Sequence, residues 1–495
     1  MNFRKILIIL IASTGIFSAS ADSLNDLLVK YLENDLDMQN LQLECSKAAL
    51  DLEQSNLNNL IQLNLSTGQM TLKPSASGTV FVLEPSVSVS VPGLNNLGVS
   101  ASGKVQFGED SSINKGESVS GTSNAKIKLQ AELLGGTREK SKVTRLNAER
   151  KFLNAKRAVQ KRALTGEKEF YSELKNLYSL ALNVTSCEQE LYEKDLDFSL
   201  VKAKGYVPSS SSYRTSELKY RTAVRNLNDA KRDFVHQQNV FALKCGINYD
   251  LEKSSDGKAD REIMFETAWN FLPQEIPEVQ VVNLRDLAKE NFSEIEAARW
   301  NQFINELSRN AEKDFTLTAG GGYTFANSTS ASDTIDASLG LKWQGITGTA
   351  GVSFPAASDK DPFYTMSVGV NPFGFKSSSI DKQKIQLAKK QEEIAIKQAE
   401  ENFQTAIVNI YSNLGDLRWK KMSNKEELEV YQQLLKDTEN WFKQGIVKES
   451  EYKNSKVNYQ RAKISCLENA VDFIIFNDEV KLMFVENSIS GKNGE

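Results

Sequence analysis

Two stretches of the chain alternate between apolar and polar residues. In the first, Ser86 to Val91 alternates without a break, and so does the run from Lys126 to Leu133. The second has apolar residues at every other position within 337–343, 350–354 and 366–370. Successive side chains of a strand point to opposite faces. Each segment is therefore predicted to be a strand with one apolar and one polar surface.

The alternation predicts four strands in each half of the chain, most of them close to the ~10 residues that a tilted strand needs to cross a membrane. Short connections (92–96 and 344–346) alternate with longer polar ones, as in membrane barrels. Soluble β-sandwiches would alternate in the same way, but the helical remainder offers no second layer for their apolar faces, which favours a barrel. The predicted strands are about 62–72, 79–91, 97–107 and 124–134, then 315–325, 334–343, 347–354 and 363–371.

Long helices are predicted on both sides of these strands. Residues from about 139 to 203 and from 376 to 444 contain no proline, and each stretch would rise roughly 100 Å as a helix. Apolar residues then recur every seven positions, which is typical of coiled coils. A coiled-coil stalk alone would not need the strand-rich segments. The seven-residue series are Tyr220, Leu227, Phe234 and Phe241, and Tyr452, Tyr459, Cys466, Phe473 and Val480.

The same plan occurs twice along the chain. Residues 23–28 resemble 283–288, an offset of 260, whereas 133–136 resemble 372–374 at an offset close to 238. The first half therefore contains a longer insert. Residues 108–124, which are mostly Ser, Gly, Glu and Asn, are predicted to form it as a solvent loop.

These patterns divide the chain into two structural repeats joined by a proline-containing linker. The predicted segments are a signal peptide at 1–21, a first repeat at 22–249 (helix 22–60, strands 62–134, long helix 139–203, helix 210–245), a linker at 250–282, a second repeat at 283–487 (helix 283–313, strands 315–371, long helix 376–444, helix 449–487) and a flexible tail at 488–495.

The predicted signal peptide places the chain in an export pathway. Arg4 and Lys5 precede the apolar run from Ile6 to Ile11, and Ala19-Ser20-Ala21 forms a small-residue cleavage site. The apolar run is short for a membrane anchor. No later stretch offers ~20 consecutive apolar residues, so a soluble protein or a membrane barrel remains.

Charge and residue chemistry exclude several functional classes. Loss of Arg4 and Lys5 changes the formal net charge from −4 to −6, which is too mild to indicate nucleic acid. His236 is the single histidine, and Gly320-Gly321-Gly322 lacks the Lys-Ser/Thr of a phosphate loop. We therefore predict no catalytic site, no cofactor and no metal. The four cysteines lack metal-ligand spacing, and buried apolar roles are favoured over disulfides: Cys45, Cys187, Cys245 and Cys466.

Three duplicated features carry a resemblance to a known family. They are the turns Leu134-Gly135-Gly136 and Pro372-Phe373-Gly374, the turns Gly205-Tyr206-Val207 and Gly445-Ile446-Val447, and the helical openings at Leu24 and Leu284. Because these features recur in the same order in both halves, the chain resembles the TolC-like outer-membrane efflux protein family. The resemblance covers nearly all of the chain that follows the predicted signal peptide.

The resemblance implies a trimeric α+β protein. Its outer-membrane β-barrel, in contact with outer-membrane lipid, would be continuous with a long periplasmic α-helical coiled-coil barrel. Family members commonly place two strands of each half in the barrel, whereas the pattern here predicts four, so a trimer would have about 24 strands instead of about 12, or some strands would form a hairpin outside the barrel. The implied function is the exit duct of a tripartite efflux or type I secretion system, which passes small molecules or polypeptides outward with a periplasmic adaptor protein and an inner-membrane transporter. The adaptor is expected to contact Gly205, Val207, Gly445 and Val447. A passive porin-like nutrient channel and a soluble coiled-coil envelope scaffold are the alternatives.

The resemblance also implies a constriction at the periplasmic mouth. Family members often carry acidic side chains just after the second-half glycine turn. Glu451 lies six residues past Gly445, but Asn454 stands where a second acid often occurs, which puts a doubled carboxylate ring in doubt. Three copies of Glu451 near one axis would favour cations.

Overall fold

The computed structural model describes most of the chain between residues 19 and 485. The predicted signal segment up to residue 18, much of the linker, the opening at Leu284 and the tail lie outside the described residues. Within 19–485 the description omits 59, 61, 68–69, 76–77, 92–96, 108–120, 248–268, 270–271, 283–286, 313–314, 326–332 and 357–360.

Each half consists of a helical start, antiparallel strands, a very long helix and a further helix, so the predicted duplicated plan is confirmed. The first half contains α1 (Ala19–Glu33), α2 (Leu36–Asn58), β1 (Gln62–Ser66), β2 (Met70–Ser75), β3 (Gly78–Leu83), β4 (Ser86–Val91), β5 (Leu97–Phe107), β6 (Gly121–Leu134), α3 (Thr137–Ala203) and α4 (Ser211–Lys244). The second half contains α5 (Ser293–Ala311), β7 (Phe315–Thr324), β8 (Thr334–Trp343), β9 (Ile346–Pro355), β10 (Phe363–Val370), α6 (Pro372–Lys443) and α7 (Glu449–Met483).

The first predicted helix, 22–60, is wrong as a single element because it is interrupted between α1 and α2. The Asp35 carboxylate accepts hydrogen bonds from the backbone N–H groups of Asp37 (2.9 Å) and Met38 (3.3 Å). It therefore caps the start of α2. Arg162 of α3 binds the same carboxylate at 2.6 Å and fixes the interruption.

The first helix of the second half begins later than predicted, at Ser293 instead of 283. Residues 275–282 are not helical: the backbone N–H of Val282 donates to Asn477 Oδ1 (3.1 Å), and Asn477 Nδ2 donates to the Gln280 carbonyl (3.0 Å). These bonds hold the segment against α7. A single 3₁₀ turn, Lys289–Asn291, then leads into α5.

The first half has six strands among its described residues, so the count of four was wrong there. Predicted strand 62–72 spans β1 and the start of β2, and predicted strand 79–91 spans β3 and β4. Pro85 separates β3 from β4, and proline has no N–H for a strand ladder. The β2–β3 hairpin lies off the main strand order and pairs with β5. It lies between β1 and β4, and the matching residues 326–332 of the second half are outside the described part of the chain. The predicted insert 108–124 is also shorter, since β6 begins at Gly121.

Eight strands form one continuous antiparallel order, β1-β4-β5-β6-β7-β8-β9-β10. The two halves join through β6 and β7, where Ile127 lies opposite Tyr323 and Ala131 opposite Ala319. Among the described strands, β1 pairs only with β4 and β10 only with β9. Both ends of the order therefore have an unpaired edge.

The chain forms two compact units, and each draws residues from both halves. The helical unit comprises Met1–Gln42, Arg157–Ser293 and Asn402–Glu495, and the sheet unit comprises Leu43–Lys156 and Glu294–Glu401. The core of the helical unit is apolar, with Phe170, Leu174, Leu177, Phe234 and Phe241 fully or almost fully buried.

Candidate functional site

The pairing register places the apolar strand residues on one side of the sheet. Directly opposed residues of antiparallel strands share a face. Leu65 thus shares a face with Val87, and the series continues strand by strand to β10. We call this side the apolar face. Its larger members are Leu63, Leu65, Val87, Val89, Val99, Ile127, Leu129, Leu317, Ile335, Leu339, Leu341, Val352, Met366, Val368 and Val370.

Many of these side chains have no cover within the described chain. Met366 is 82 % exposed and Leu65 is 71 % exposed, although they lie at opposite ends of the strand order. An apolar patch that extends over a whole sheet is far larger than scattered surface hydrophobics and indicates contact with a partner or a membrane.

Aromatic side chains lie at both ends of the apolar face. Phe315 and Trp343 are paired at the end near α6, and Tyr323, Phe354 and Tyr364 lie toward the other end. From Phe315 to Tyr323, β7 spans about the 9–11 residues of a tilted membrane strand. Aromatic girdles on either side of an apolar band are typical of outer-membrane strands.

The opposite side of the sheet, the polar face, is lined by small residues. Thr318 lies across from Gly340, and a Cβ atom added at Gly340 would be 2.5 Å from Thr318 Oγ1. A Cβ at Gly351 would be 2.7 Å from Thr365 Oγ1. A side chain at either glycine would therefore displace the neighbouring threonine hydroxyl. Glycine in a strand interior often marks such approaches and sites where a sheet bends.

Few charges interrupt the hydroxyl groups of the polar face. Lys126 Nζ lies 3.2 Å from the Asp336 carboxylate, which also accepts a hydrogen bond of 2.6 Å from Ser353. Lys128 and Lys342 are exposed on the same face. This face is therefore suited to contact with water.

The predicted adaptor-contact glycines end the two longest helices. Gly205 has a φ of 77° and Gly445 a φ of 72°, the left-handed conformation that favours glycine at a helix C-terminus. The backbone N–H of Gly445 donates to the Phe442 carbonyl (2.9 Å), and that of Ile446 to the Trp441 carbonyl (2.8 Å). Any side chain at either glycine would be strained even though the space around it is open.

Apolar side chains next to these glycines are solvent-exposed. Val207 is 59 % exposed and Ile446 is 66 % exposed, whereas Val447 is only partly exposed. The structure thus leaves the tips of both turns available. Their contact with an adaptor stays a prediction.

Side chains beside each turn hold its two helices together. Ser210 caps α4, since its Oγ accepts from the backbone N–H of Tyr213 at 3.3 Å. The Tyr213 ring packs edge-on against Phe198 of α3 with centroids 5.2 Å apart. In the second half, Tyr452 stacks on Phe442 at 5.3 Å. Both turns are therefore fastened by an aromatic pair.

The two predicted mouth residues have different surroundings. Glu451 lies in the first turn of α7 with an exposed side chain. Asn454 Oδ1 accepts a hydrogen bond of 2.8 Å from Gln189 Nε2 of α3. This hydrogen bond attaches α7 to α3 through a side chain that carries no charge. The constriction itself stays a prediction.

A polar ladder between α3 and α7 was missed by the sequence reasoning. Lys168 pairs with Glu479 at 2.6 Å, and Lys175 pairs with Asp472 at 2.7 Å, one heptad along each helix. Opposite charges at seven-residue spacing on the two helices were the available signal. Such partly exposed pairs contribute ~0–1 kcal/mol each, so they fix the register more than the stability. Ser179–Glu468 and Arg461–Ser186 hydrogen bonds extend the ladder.

Asp478 is a buried acid under this ladder. Asp478 is only 1 % exposed. Its Oδ2 has no hydrogen-bond partner, and its Oδ1 lies 3.5 Å from Lys481 Nζ. Burial, followed by repulsion from Glu167, raises the pKa of Asp478 to about 7. A single aspartate in a charged helix gives no sequence signal for this environment.

Neither a metal site nor a membrane-spanning helix is found among the described residues. There, no group of three or more His, Cys, Asp or Glu side chains is placed to hold a metal ion. None of the helices described has both the length and the hydropathy to cross a bilayer.

Comparisons with known proteins give low identities over most of the chain. No curated protein matches. Among solved structures, a membrane protein from Pseudomonas aeruginosa is 13 % identical, with 95 % of this chain and 91 % of that chain covered and a TM-score of 0.45. The outer membrane protein VceC of Vibrio cholerae is 12 % identical, with coverages of 94 % and 97 % and a TM-score of 0.46. The CmeC outer membrane channel of Campylobacter jejuni is 12 % identical, with coverages of 95 % and 88 % and a TM-score of 0.46.

Family models match the two halves of the chain separately. Residues 27–265 match the TP096X N-terminal domain, and residues 277–487 match the TP096X C-terminal domain. The two matches follow each other in order and together span most of the chain. The chain therefore belongs to the TP096X family.

Proposed function

We propose that this protein is an outer-membrane exit duct, which passes small molecules or polypeptides from the periplasm, or from an inner-membrane transporter, to the outside. Three copies would each contribute a sheet to one barrel and long helices to one periplasmic tunnel. The amphipathic sheet carries this proposal. Its apolar face suits lipid, and its polar face suits a water-filled passage.

The physical argument follows from the unpaired backbone at the sheet edges. In a bilayer, every backbone N–H and C=O group needs a partner, so sheets cross membranes only as closed barrels. The eight strands of the main order leave β1 and β10 with free edges among the described strands. Three copies would supply about 24 strands to a closed barrel, within the range of outer-membrane barrels. The β2–β3 hairpin would extend beyond that order.

The helices suit a tunnel with docking points. α3 has 67 residues and α6 has 72, which corresponds to roughly 100 Å each. The exposed turn tips at Val207 and Ile446 are suited to a periplasmic adaptor. An exposed Glu451 in each copy would place three carboxylates around the mouth and favour cations.

Conductance in planar lipid bilayers tests the proposal. The purified full chain, added from detergent, is expected to give discrete, water-filled conductance steps. Absence of conductance from protein that fractionates without detergent would reject the duct and favour a soluble scaffold. Nutrient uptake by intact cells that persists without any adaptor or transporter would favour a passive porin instead.

A further inference from the structure

A recess of about 690 Å³ lies in the sheet unit, where the strands meet the two long helices. Small-molecule sites are usually concave, measure about 300–1,000 Å³ and combine apolar walls with a few polar groups. The recess has the size and the mixed lining of such a site. Its lining includes Phe315, Gln344, Ser377, Ser378, Lys382 and Ile385.

Close backbone packing fixes one wall of the recess. The backbone N–H of Asn371 donates to the Gly345 carbonyl at 2.6 Å, and Asn371 Oδ1 accepts from the backbone N–H of Phe373 at 3.1 Å. A Cβ atom added at Gly374 would be 2.6 Å from Gly345 Cα. The start of α6 is therefore held directly against the connection between β8 and β9, and this wall is formed without a ligand.

Basic side chains are concentrated in the first turns of the two helices that leave the sheet here. The start of α3, from Thr137 to Arg145, contains four basic residues and one acid. The segment of α6 from Ser377 to Lys384 contains two lysines and one acid. Clusters of about 4–8 Lys or Arg residues beside a membrane segment are typical of sites for anionic lipids. We call the exposed basic residues the basic border: Arg138, Lys140, Lys142, Arg145, Lys382 and Lys384.

Two acids line the recess in different ways. Asp381 Oδ1 lies 3.6 Å from Lys384 Nζ, and Asp381 Oδ2 accepts from Ser377 Oγ at 3.4 Å. Glu312, which follows α5, is exposed. The charge of Asp381 is thus offset within α6, whereas Glu312 is placed to accept a hydrogen bond from a hydroxyl group of a ligand.

The recess adjoins one end of the apolar face. Phe315 lines the recess and lies opposite Trp343 in the sheet. The next pair on this face is Leu317 and Leu341. Aromatic side chains are enriched at the level of the lipid head groups, with apolar side chains next to them facing the acyl chains. A molecule with a polar head and long apolar chains therefore matches this part of the sheet unit.

We propose that the recess binds the head group of an anionic phospholipid of the phosphatidylglycerol type, with its acyl chains along the apolar face. The phosphate pairs with Lys382 and is attracted by the basic border. The glycerol hydroxyls donate to Glu312. An ethanolamine head group is disfavoured, because its ammonium group is repelled by the border. The inference rests on the proposed membrane duct and identifies the lipid class that the duct selects at this level.

Native mass spectrometry of the detergent-solubilised full chain tests the site. The chain is mixed with equal amounts of phosphatidylglycerol and phosphatidylethanolamine, and the lipids that it retains are counted. Each basic residue near a lipid surface contributes roughly fivefold to the affinity for anionic lipid. We therefore expect the chain to retain at least about tenfold more phosphatidylglycerol.

Two triple variants locate the preference. Arg138→Gln with Lys142→Gln and Lys382→Gln is expected to lower the ratio of the two retained lipids to about one. The control variant is expected to leave the ratio unchanged, because its lysines are exposed on α6 at least 36 residues beyond Lys384. It combines Lys420→Gln, Lys425→Gln and Lys436→Gln.

Three results would overturn the site: equal retention of both lipids by the unsubstituted chain, the same loss of preference in both triple variants, or displacement of the bound lipid by excess inorganic phosphate. The last result would show that the recess takes a free anion instead of a lipid. Conductance of each protein is measured separately. Conductance steps from an unsubstituted chain without lipid preference would leave the duct intact and reject only this site.

Discussion

The helical unit and the sheet unit treat apolar side chains in opposite ways. In the helical unit, Phe234 and Phe241 are almost completely buried. In the sheet unit, Phe354 and Met366 are exposed on a face that continues across eight strands. A core needs no outside partner because it covers its own apolar surface. The sheet leaves its apolar surface exposed. The sheet unit therefore needs an apolar partner outside the chain, whereas the helical unit does not.

Truncation of one phenylalanine in each unit gives the largest expected contrast. Phe234→Ala creates a cavity in the helical core and is expected to lower the free energy of unfolding by about 3–5 kcal/mol. Phe354→Ala, on the apolar face, is expected to cost less than about 1 kcal/mol because little packing is lost. Denaturant unfolding of the detergent-solubilised protein measures both. Similar losses of unfolding free energy at the two positions would contradict the contrast between the buried core and the exposed face.

Opposite faces of one strand provide the next contrast. Leu339 lies on the apolar face of β8, and its neighbour Ser338 is exposed on the polar face. Leu339→Lys is expected to destabilise the membrane-inserted state by about 2–4 kcal/mol, while a charge on the water-lined side is tolerated. Unfolding from lipid vesicles measures the loss, with Ser338→Lys as the matched control. If Leu339→Lys instead improved solubility without loss of folded protein, the lipid-facing assignment would be wrong.

The buried Asp478 is expected to make the stability of the helical unit depend on pH. Burial raises the pKa of Asp478, so the folded state retains its proton more strongly than the unfolded state. The stability that this group contributes is therefore present at low pH and is lost as pH rises from about 4 toward 7. Asp478→Asn is expected to stabilise the protein by about 1–3 kcal/mol more at pH 8 than at pH 4. Urea unfolding at the two pH values measures the difference. A gain that does not depend on pH would show that Asp478 is not the titrating group.

Substitution of Glu451, at the predicted periplasmic mouth, is expected to affect the fold least. Glu451→Lys is expected to reverse the cation preference of the channel in bilayer recordings, with folding unchanged. Glu449→Lys is the control, since Glu449 lies in the same helical turn and pairs with Lys453 at 2.9 Å. Unchanged selectivity in Glu451→Lys would remove Glu451 from the constriction.

The sequence predicted local structure better than long-range contacts. Alternation is a local signal, and in the second half the alternating segments lie on β7 to β10. In the first half, the β2–β3 hairpin was not recognised, because its short strands merge with β1 and β4 in the apolar pattern. The start of α5 was misplaced for a different reason. Residues 280 and 282, which precede it, are bonded to Asn477, which is far away in sequence.

The site residues show the same limit. The glycines at 205 and 445 could be predicted, because a positive φ is a local requirement with a strong residue preference. The role of Asn454 could not be predicted, since its partner Gln189 belongs to the other half of the chain. Two exposed apolar series were also missed, although both repeat every seven residues: Leu43, Leu50 and Leu57 on α2, and Phe373, Ile380 and Leu387 on α6. Exposure, and not spacing, distinguishes them from the buried seams.

Electron microscopy of the detergent-extracted particle tests the proposed duct directly. We expect a three-fold cylinder with a barrel of about 24 strands above a helical tunnel near 100 Å long. We also expect that the apolar face carries the detergent belt. A monomeric particle without a detergent belt, in which another part of the chain covers the apolar face, would contradict the account.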